Sequence, residues 1–153
     1  MSPRAAWQLE TLGFTAVYDF AAGKAAWLAA GLPIEGTDSA IPRAGKHAHR
    51  DVPTCTLDEP LQTVRERVRA TGWDTCIVIN QQRIVLGRLG RSALAGDDPQ
   101  TVEQAMSAGP STIRPDTPLI ATIERLRDQN LTSTLVTTLE GELVGLLLAE
   151  NLA

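Results

Sequence analysis

The stretch "TPLIATIERLRDQNLTSTLVTTLEGELVGLLLAENL", Thr117 to Leu152, has a second copy earlier in the chain. Laid on "EPLQTVRERVRATGWDTCIVINQQRIVLGRLGRSAL", Glu59 to Leu94, it registers without a gap at an offset of 58 residues, Pro60 on Pro118. Leu61 then meets Leu119, and Glu66, Arg67 and Arg69 meet Glu124, Arg125 and Arg127. Val78 meets Val136, Gly87 meets Gly145 and Leu94 meets Leu152, while upstream Thr54 and Asp58 meet Thr112 and Asp116. An ungapped series of this length marks an internal repeat, and a repeat constrains the whole fold.

Both copies carry the same coarse pattern. In the second, Thr117 suits an N-cap and Pro118 the first helical turn. Leu119, Ile123 and Leu126 recur at helical spacing through about Gln129. The first copy repeats this with Glu59, Pro60, Leu61, Val64 and Val68 and stops near Gly72. Two short β-rich runs follow, "CIVIN" and "RIVLGRL" joined at "QQ", matched by "TLVTT" and "ELVGLLL" joined at "LEG"; such runs around short connections predict hairpins. With a strand around Thr54–Thr56 or Thr112–Arg114, each unit reads strand, helix, strand, strand, helix. A unit of this size exposes too much apolar sheet to stand alone. The prediction is an α+β fold in which two units bury their sheets against one another around a pseudo-two-fold axis. "AGDDPQTVEQAM" reads as a linker helix between them, with Asp98 as N-cap, Pro99 in the first turn, and Val102 and Met106 facing inward.

Composition bounds the function. At 43% hydrophobic and 21% charged residues this is a folding chain. A net charge of −4 argues against a nucleic-acid partner, which shows as a basic face. "MSPRAAWQLE" is no targeting signal, and "LVGLLLA" (Leu143–Ala149) is far shorter than the ~20 residues of a membrane span. Cys55 and Cys76 form no C-x-x-C pair and no metal spacing, so they read as free thiols in a reducing, cytoplasmic setting.

Ahead of the repeats, "RAAWQLETLGFTAVYDFAAGKAAWLAAGLPIEGT" predicts a helix from about Pro3 to Leu12, a β-run at "TAVYDF" and a second helix ending at Gly31. Trp7, Phe14, Tyr18 and Trp27 are expected as its apolar anchors. Residues 35–50, "EGTDSAIPRAGKHAHR", are polar and read as a linker. His47 and His49 lie in that linker; a metal site needs three or four convergent ligands, and surface histidines are the simpler reading. The expected division is therefore 1–34 as an appendage, 35–50 as linker, 51–95 as the first unit, and 96–153 as linker helix and second unit.

The order "TIRPDTPL", amphipathic helix, β-run, "EGELVGLLLAENL" resembles a cystathionine-β-synthase (CBS) domain, and Val52–Leu94 resembles a second. The chain from Asp51 onward is thus similar to a CBS pair, or Bateman module. The resemblance implies a regulatory module without catalysis, pairing into a homodimer. It also implies an adenosine-containing ligand such as AMP, ATP or S-adenosylmethionine between the repeats. The family's G-(apolar)-(apolar)-T-x-x-D-L pattern falls on Leu148 and Asn151 in one repeat and on Gly90 and Ala93 in the other, so neither repeat keeps the hydroxyl or the ribose-binding aspartate. Asn151 can still hydrogen-bond a ribose, whereas Ala93 cannot. By resemblance, Thr112 and Ile113 and the run Thr132, Ser133, Thr134 and Leu135 line the mouth of a site, with Arg91 as phosphate partner on the opposite side. A module kept only for dimerisation, its ligand lost, is the competing reading.

The first residues also resemble the C-terminal tail of a rhodanese domain, in "GF..VY" and "W..AGLP". That family's catalytic cysteine loop would precede "RAAWQLE", so the resemblance implies ancestry rather than sulfur transfer. Other catalytic signatures fail on spacing. "AGKAA" lacks the remainder of a phosphate loop, and no G-x-S-x-G elbow occurs. Glu66, Arg67, Glu124 and Arg125 are expected on a solvated helix face, and Cys76 as a small buried hydrophobe.

Overall fold

The computed structural model describes residues 3–96 and 100–150. Helix α1 (Pro3–Thr11) and helix α2 (Gly23–Ala29) lead to a 3₁₀ turn at Thr37–Ala40 and a one-turn helix α3 (Ala44–His47). The first unit follows as β1 (Thr54–Cys55), α4 (Leu61–Thr71), β2 (Cys76–Ile79), β3 (Val85–Leu89) and α5 (Arg91–Ala95). Then come α6 (Val102–Ala105) and β4 (Ser107–Ala108), and the second unit: β5 (Thr112–Ile113), α7 (Leu119–Asp128), β6 (Ser133–Thr137) and β7 (Leu143–Leu148). The fold is α+β, with two sheets ordered β1-β2-β3-β4 and β5-β6-β7. The predicted helix after β7, Asn151 included, and the caps Asp98 and Pro99 lie outside the described residues.

The two units share their strand register at the 58-residue offset of the sequence repeat. Thr54 pairs with Ile77 as Thr112 pairs with Leu135, both in parallel ladders. The hairpins carry the same bulge, between Val78 and Ile79 and between Val136 and Thr137. Helices α4 and α7 each begin after a proline in extended conformation, Pro60 and Pro118, one residue later than the sequence suggested. Pro60 and Pro118 are the N-caps themselves. At the other end α4 stops at Gly72 (φ 76°), and Asn130 just past α7 takes the same left-handed conformation (φ 54°). Gly and Asn are the residues that tolerate it.

The pseudo-two-fold axis shows directly in the backbone. The Val85 N–H donates to the Gly141 carbonyl and the Leu143 N–H to the Arg83 carbonyl, tying the two hairpin tips together. Val52, Ile77, Ile79, Leu135, Leu143 and Leu146 form an apolar seam that both units share. Each unit also has its own cluster, around Leu61, Val64, Val78 and Leu89 in the first and Leu119, Ile123, Val136 and Leu147 in the second. Each large aliphatic side chain so buried contributes about 1.5–3 kcal/mol.

The repeat reaches further upstream than its residue identities do: within residues 35–50, the part from Arg43 to His49 packs on the second unit. Helix α3 is the counterpart of α6 at the same offset. Arg43 bridges Pro118 as Thr101 bridges Pro60, and His49 bridges Leu146 on β7 as Ser107 pairs with Arg88 on β3. The pieces are exchanged: Ala44, ahead of the first unit, is buried in the core of the second, and Val102, ahead of the second, in the core of the first. This exchange explains the shared Gly87 and Gly145. A Cβ on Gly145 would sit 2.5 Å from the His49 carbonyl oxygen, and one on Gly87 would sit 2.4 Å from Met106 Sδ and 3.1 Å from the Ser107 carbonyl oxygen. Met106 thus packs inward, as expected, and α6 is capped at Thr101, whose hydroxyl accepts from the Gln104 N–H while the Gln104 side chain accepts from the Thr101 N–H.

The N-terminal segment differs from expectation. Residues 15–20, predicted as a strand, have no ladder partner. Of the four expected anchors, Trp7 is 64% exposed, Phe14 60% and Tyr18 91%. Helix α1 buries no residue, because amphipathic spacing specifies a face without supplying a cover for it. The attachment runs through α2: Leu28 is buried, Ala29 packs on the second unit's core, and Arg50 donates to the Ala29 carbonyl. Trp27 holds the following turn through its Nε1–H to the Pro33 carbonyl and stacks edge-on to Phe20.

Candidate ligand cleft between the units

At the end of the axis away from the paired hairpin tips the units part, leaving a cleft of about 1130 Å³. Its walls correspond across the repeat. Gly72, Trp73 and Asp74 follow α4 in the first unit; Asn130, Leu131 and Thr132 follow α7 in the second. The left-handed helix ends turn both loops toward the axis. Trp73, Leu131, Leu146 and Leu148 supply apolar surface, and Arg88, Arg91 and Arg127 supply cations. A large concave site with apolar walls and a few polar groups is the usual form of a small-molecule pocket. Two smaller cavities, of about 300 and 400 Å³, lie against the N-terminal segment.

Arg88 is the residue that joins the two walls. Its Nε–H donates to Thr75 Oγ1 at 2.8 Å, and its Nη2 donates to Ser133 Oγ, in the other unit, at 2.9 Å. The Thr75 hydroxyl is oriented for this by its own donation to the Leu89 carbonyl. Burial lowers the Arg88 pKa, only partly opposed by the charge of Asp74. Asp74 itself pairs with Arg91 at 2.6 Å.

The residues expected at a site divide. Arg91 and Thr132 line this cleft on opposite walls. Thr134 and Leu135 are buried within β6, Leu135 in the shared seam, and Ile113 is buried in the second unit's core. Thr112 is exposed on β5, paired with Leu135. None of these four lines the cleft, and Asn151 lies outside the described residues. Ser133, inside the expected run from Thr132 to Leu135, lines it too, whereas Trp73, Arg88 and Arg127 are not foreseen there. Arg88 carried a readable signal: it is a charge inside an apolar strand run, at the position its repeat fills with Leu146.

Arg67 is not merely solvated. It pairs with Glu59 at 2.8 Å and donates to the Thr54 carbonyl. Partial burial would raise the Glu59 carboxyl, but hydrogen bonds from Arg67 and the Thr56 N–H outweigh it and hold it below the ordinary carboxylate range. The second unit places Thr117 and Arg125 at these positions and has no such pair there. Cys55 and Cys76 are buried free thiols. A hydrogen bond with Cys76 and burial push the Cys55 thiol well above its usual range, the setting of an inert cysteine. Among the described residues no group of three or more His, Cys, Asp or Glu is placed to hold a metal, and no helix is long and apolar enough to cross a membrane.

A family model described as the CBS domain matches residues 102–153. Solved structures extend the likeness over both units. The cytosolic domain of the Mg²⁺ channel MgtE in complex with ATP is 18% identical with a TM-score of 0.65, covering 74% of this chain and 49% of its own. This chain thus spans about half the length of that domain. The CBS domain pair of protein MJ0100, in complex with 5′-methylthioadenosine and S-adenosyl-L-methionine, is 13% identical with a TM-score of 0.63, covering 72% of this chain and 92% of its own. The acetoin utilization protein AcuB from Vibrio cholerae is 14% identical with a TM-score of 0.64, covering 72% and 87%. The fold is that of a CBS pair, and the match to the CBS domain model at residues 102–153 falls on α6 and the second unit. No curated protein sequence matches the chain. The comparisons lend no support to the rhodanese resemblance of residues 1–34.

Proposed function

We propose that this chain is a regulatory CBS-pair module without catalytic activity, binding an adenosine-containing ligand in the cleft between its units. The observation that carries the reading is the cleft itself, about 1130 Å³, with apolar walls from Trp73, Leu146 and Leu148 and arginines around them. Structural neighbours in complex with ATP, and with 5′-methylthioadenosine and S-adenosyl-L-methionine, support the ligand class. Trp73 and Leu131 offer faces for a purine, and Thr132 and Ser133 offer hydroxyls. The mechanism is differential affinity: a ligand touching both walls favours the arrangement in which both contact it. The module reads as a homodimer, which light scattering would reveal as twice the chain mass. Thermal-shift and calorimetric titrations with AMP, ATP, S-adenosylmethionine and NADH test the ligand class. A saturable response to one of them is expected, whereas no response to any at millimolar concentration would leave the module purely structural.

A further inference from the structure

Resting on that reading of the cleft, the arrangement around Arg88 narrows what the ligand must carry. Arg88 stands on β3 between Gly87 and Leu89, and its counterpart in the other unit is Leu146, so the charge belongs to one wall only. It is half-buried, and its hydrogen-bond partners among the described residues are the neutral hydroxyls of Thr75 and Ser133. A cation removed from water normally meets a carboxylate or another anion, since neutral partners compensate its lost hydration only in part. The nearby Asp74 is engaged by Arg91 at 2.6 Å. Among the described residues the other carboxylate lining the cleft is Glu150, and Arg127, exposed on α7, adds a further positive charge from the second unit. The cleft therefore holds an incompletely compensated guanidinium, fixed in place by two hydroxyls from two different units and facing open space.

We propose that Arg88 is an anion seat that makes the cleft selective for a phosphate-bearing ligand over a neutral nucleoside or a sulfonium compound. A guanidinium offers five N–H donors in a planar fork that matches phosphate oxygens in pairs, and two of them serve Thr75 and Ser133. A phosphate seated here also meets the Ser133 hydroxyl, so it touches both units, the first through Arg88 and the second through Ser133. Arg127 adds longer-range attraction, and the positive ligand S-adenosylmethionine is disfavoured at the same place.

The test is calorimetric titration of the full chain with AMP, adenosine, S-adenosylmethionine and pyrophosphate, for the wild type and Arg88→Gln. In the wild type AMP should bind roughly tenfold or more tightly than adenosine, the scale of one charge-assisted contact. In Arg88→Gln that preference, the ratio of AMP to adenosine affinity, should fall to about twofold or less. Should Arg88→Gln lose its native circular dichroism, Arg88→Lys carries the test. It keeps the charge without the fork, and the preference should fall severalfold, an unchanged preference overturning the assignment. Equal binding of AMP and adenosine by the wild type, or a preference that survives in Arg88→Gln, overturns the anion seat. If no nucleoside binds but pyrophosphate does in an Arg88-dependent way, the adenosine reading fails and the anion seat stands. Absence of binding by all four ligands overturns both.

Discussion

The segments ahead of the two units, residues 43–50 and 101–108, do the same structural job with no residue in common at matching positions. Each forms a short helix and then an edge contact, and each completes the core of the other unit. Their bonds to that unit are largely backbone bonds, such as the reciprocal pair between His49 and Leu146. Backbone pairing constrains side-chain identity weakly, so the two segments can do this job without a shared residue. What stays fixed is the surface they lie on, where Gly87 and Gly145 leave room for a passing chain. The pair of units is therefore held by exchange and not by packing alone.

If the two units are equivalent scaffolds, equivalent deletions should cost equally. Leu89 and Leu147 occupy matching, fully buried positions in the two unit cores. Leu89→Ala and Leu147→Ala should each lower stability by about 2–5 kcal/mol in denaturant unfolding, within error of one another. A large difference would show one unit to be the dominant core. Next in size, Gly145→Ala forces a Cβ against a backbone carbonyl and should cost about 1–3 kcal/mol. Gly87→Ala meets mainly the flexible end of Met106 and should cost less, so equal losses would contradict the difference in how the two segments pack.

The smallest effect separates the units. Arg67→Ala removes the ion pair with Glu59, found in the first unit only, and should cost under about 1 kcal/mol at neutral pH. Because the Glu59 carboxyl is held below its ordinary range in the folded protein, the contribution is present above the unfolded pKa and is lost as pH falls through the folded one. The gap between wild type and Arg67→Ala should close on acidification. Arg125→Ala, at the matching place, should show no such closing.

Much of this fold was legible because apolar periodicity and the repeat say the same thing twice. Leu119, Ile123 and Leu126 turned out buried where their spacing put them, and Cys76 likewise. The exchanged helix α3 was hidden because "RAGKHAHR" is polar and its role is carried by Ala44 and by backbone groups. Trp7, Phe14 and Tyr18 misled because amphipathic spacing cannot say whether the same chain covers the face. The cleft was half legible. Arg91 and Thr132 follow from the family pattern, whereas Arg88 stands where that pattern expects an apolar residue.

The central claim is that one ligand engages both units across the cleft. Hydrogen exchange of the full chain, with and without saturating AMP, tests it most directly. Amides at Trp73–Thr75 in the first unit and Leu131–Ser133 in the second should slow together, while the paired hairpin tips around Asn80–Ile84 stay unchanged. Protection confined to one wall, or none at millimolar AMP, would contradict it.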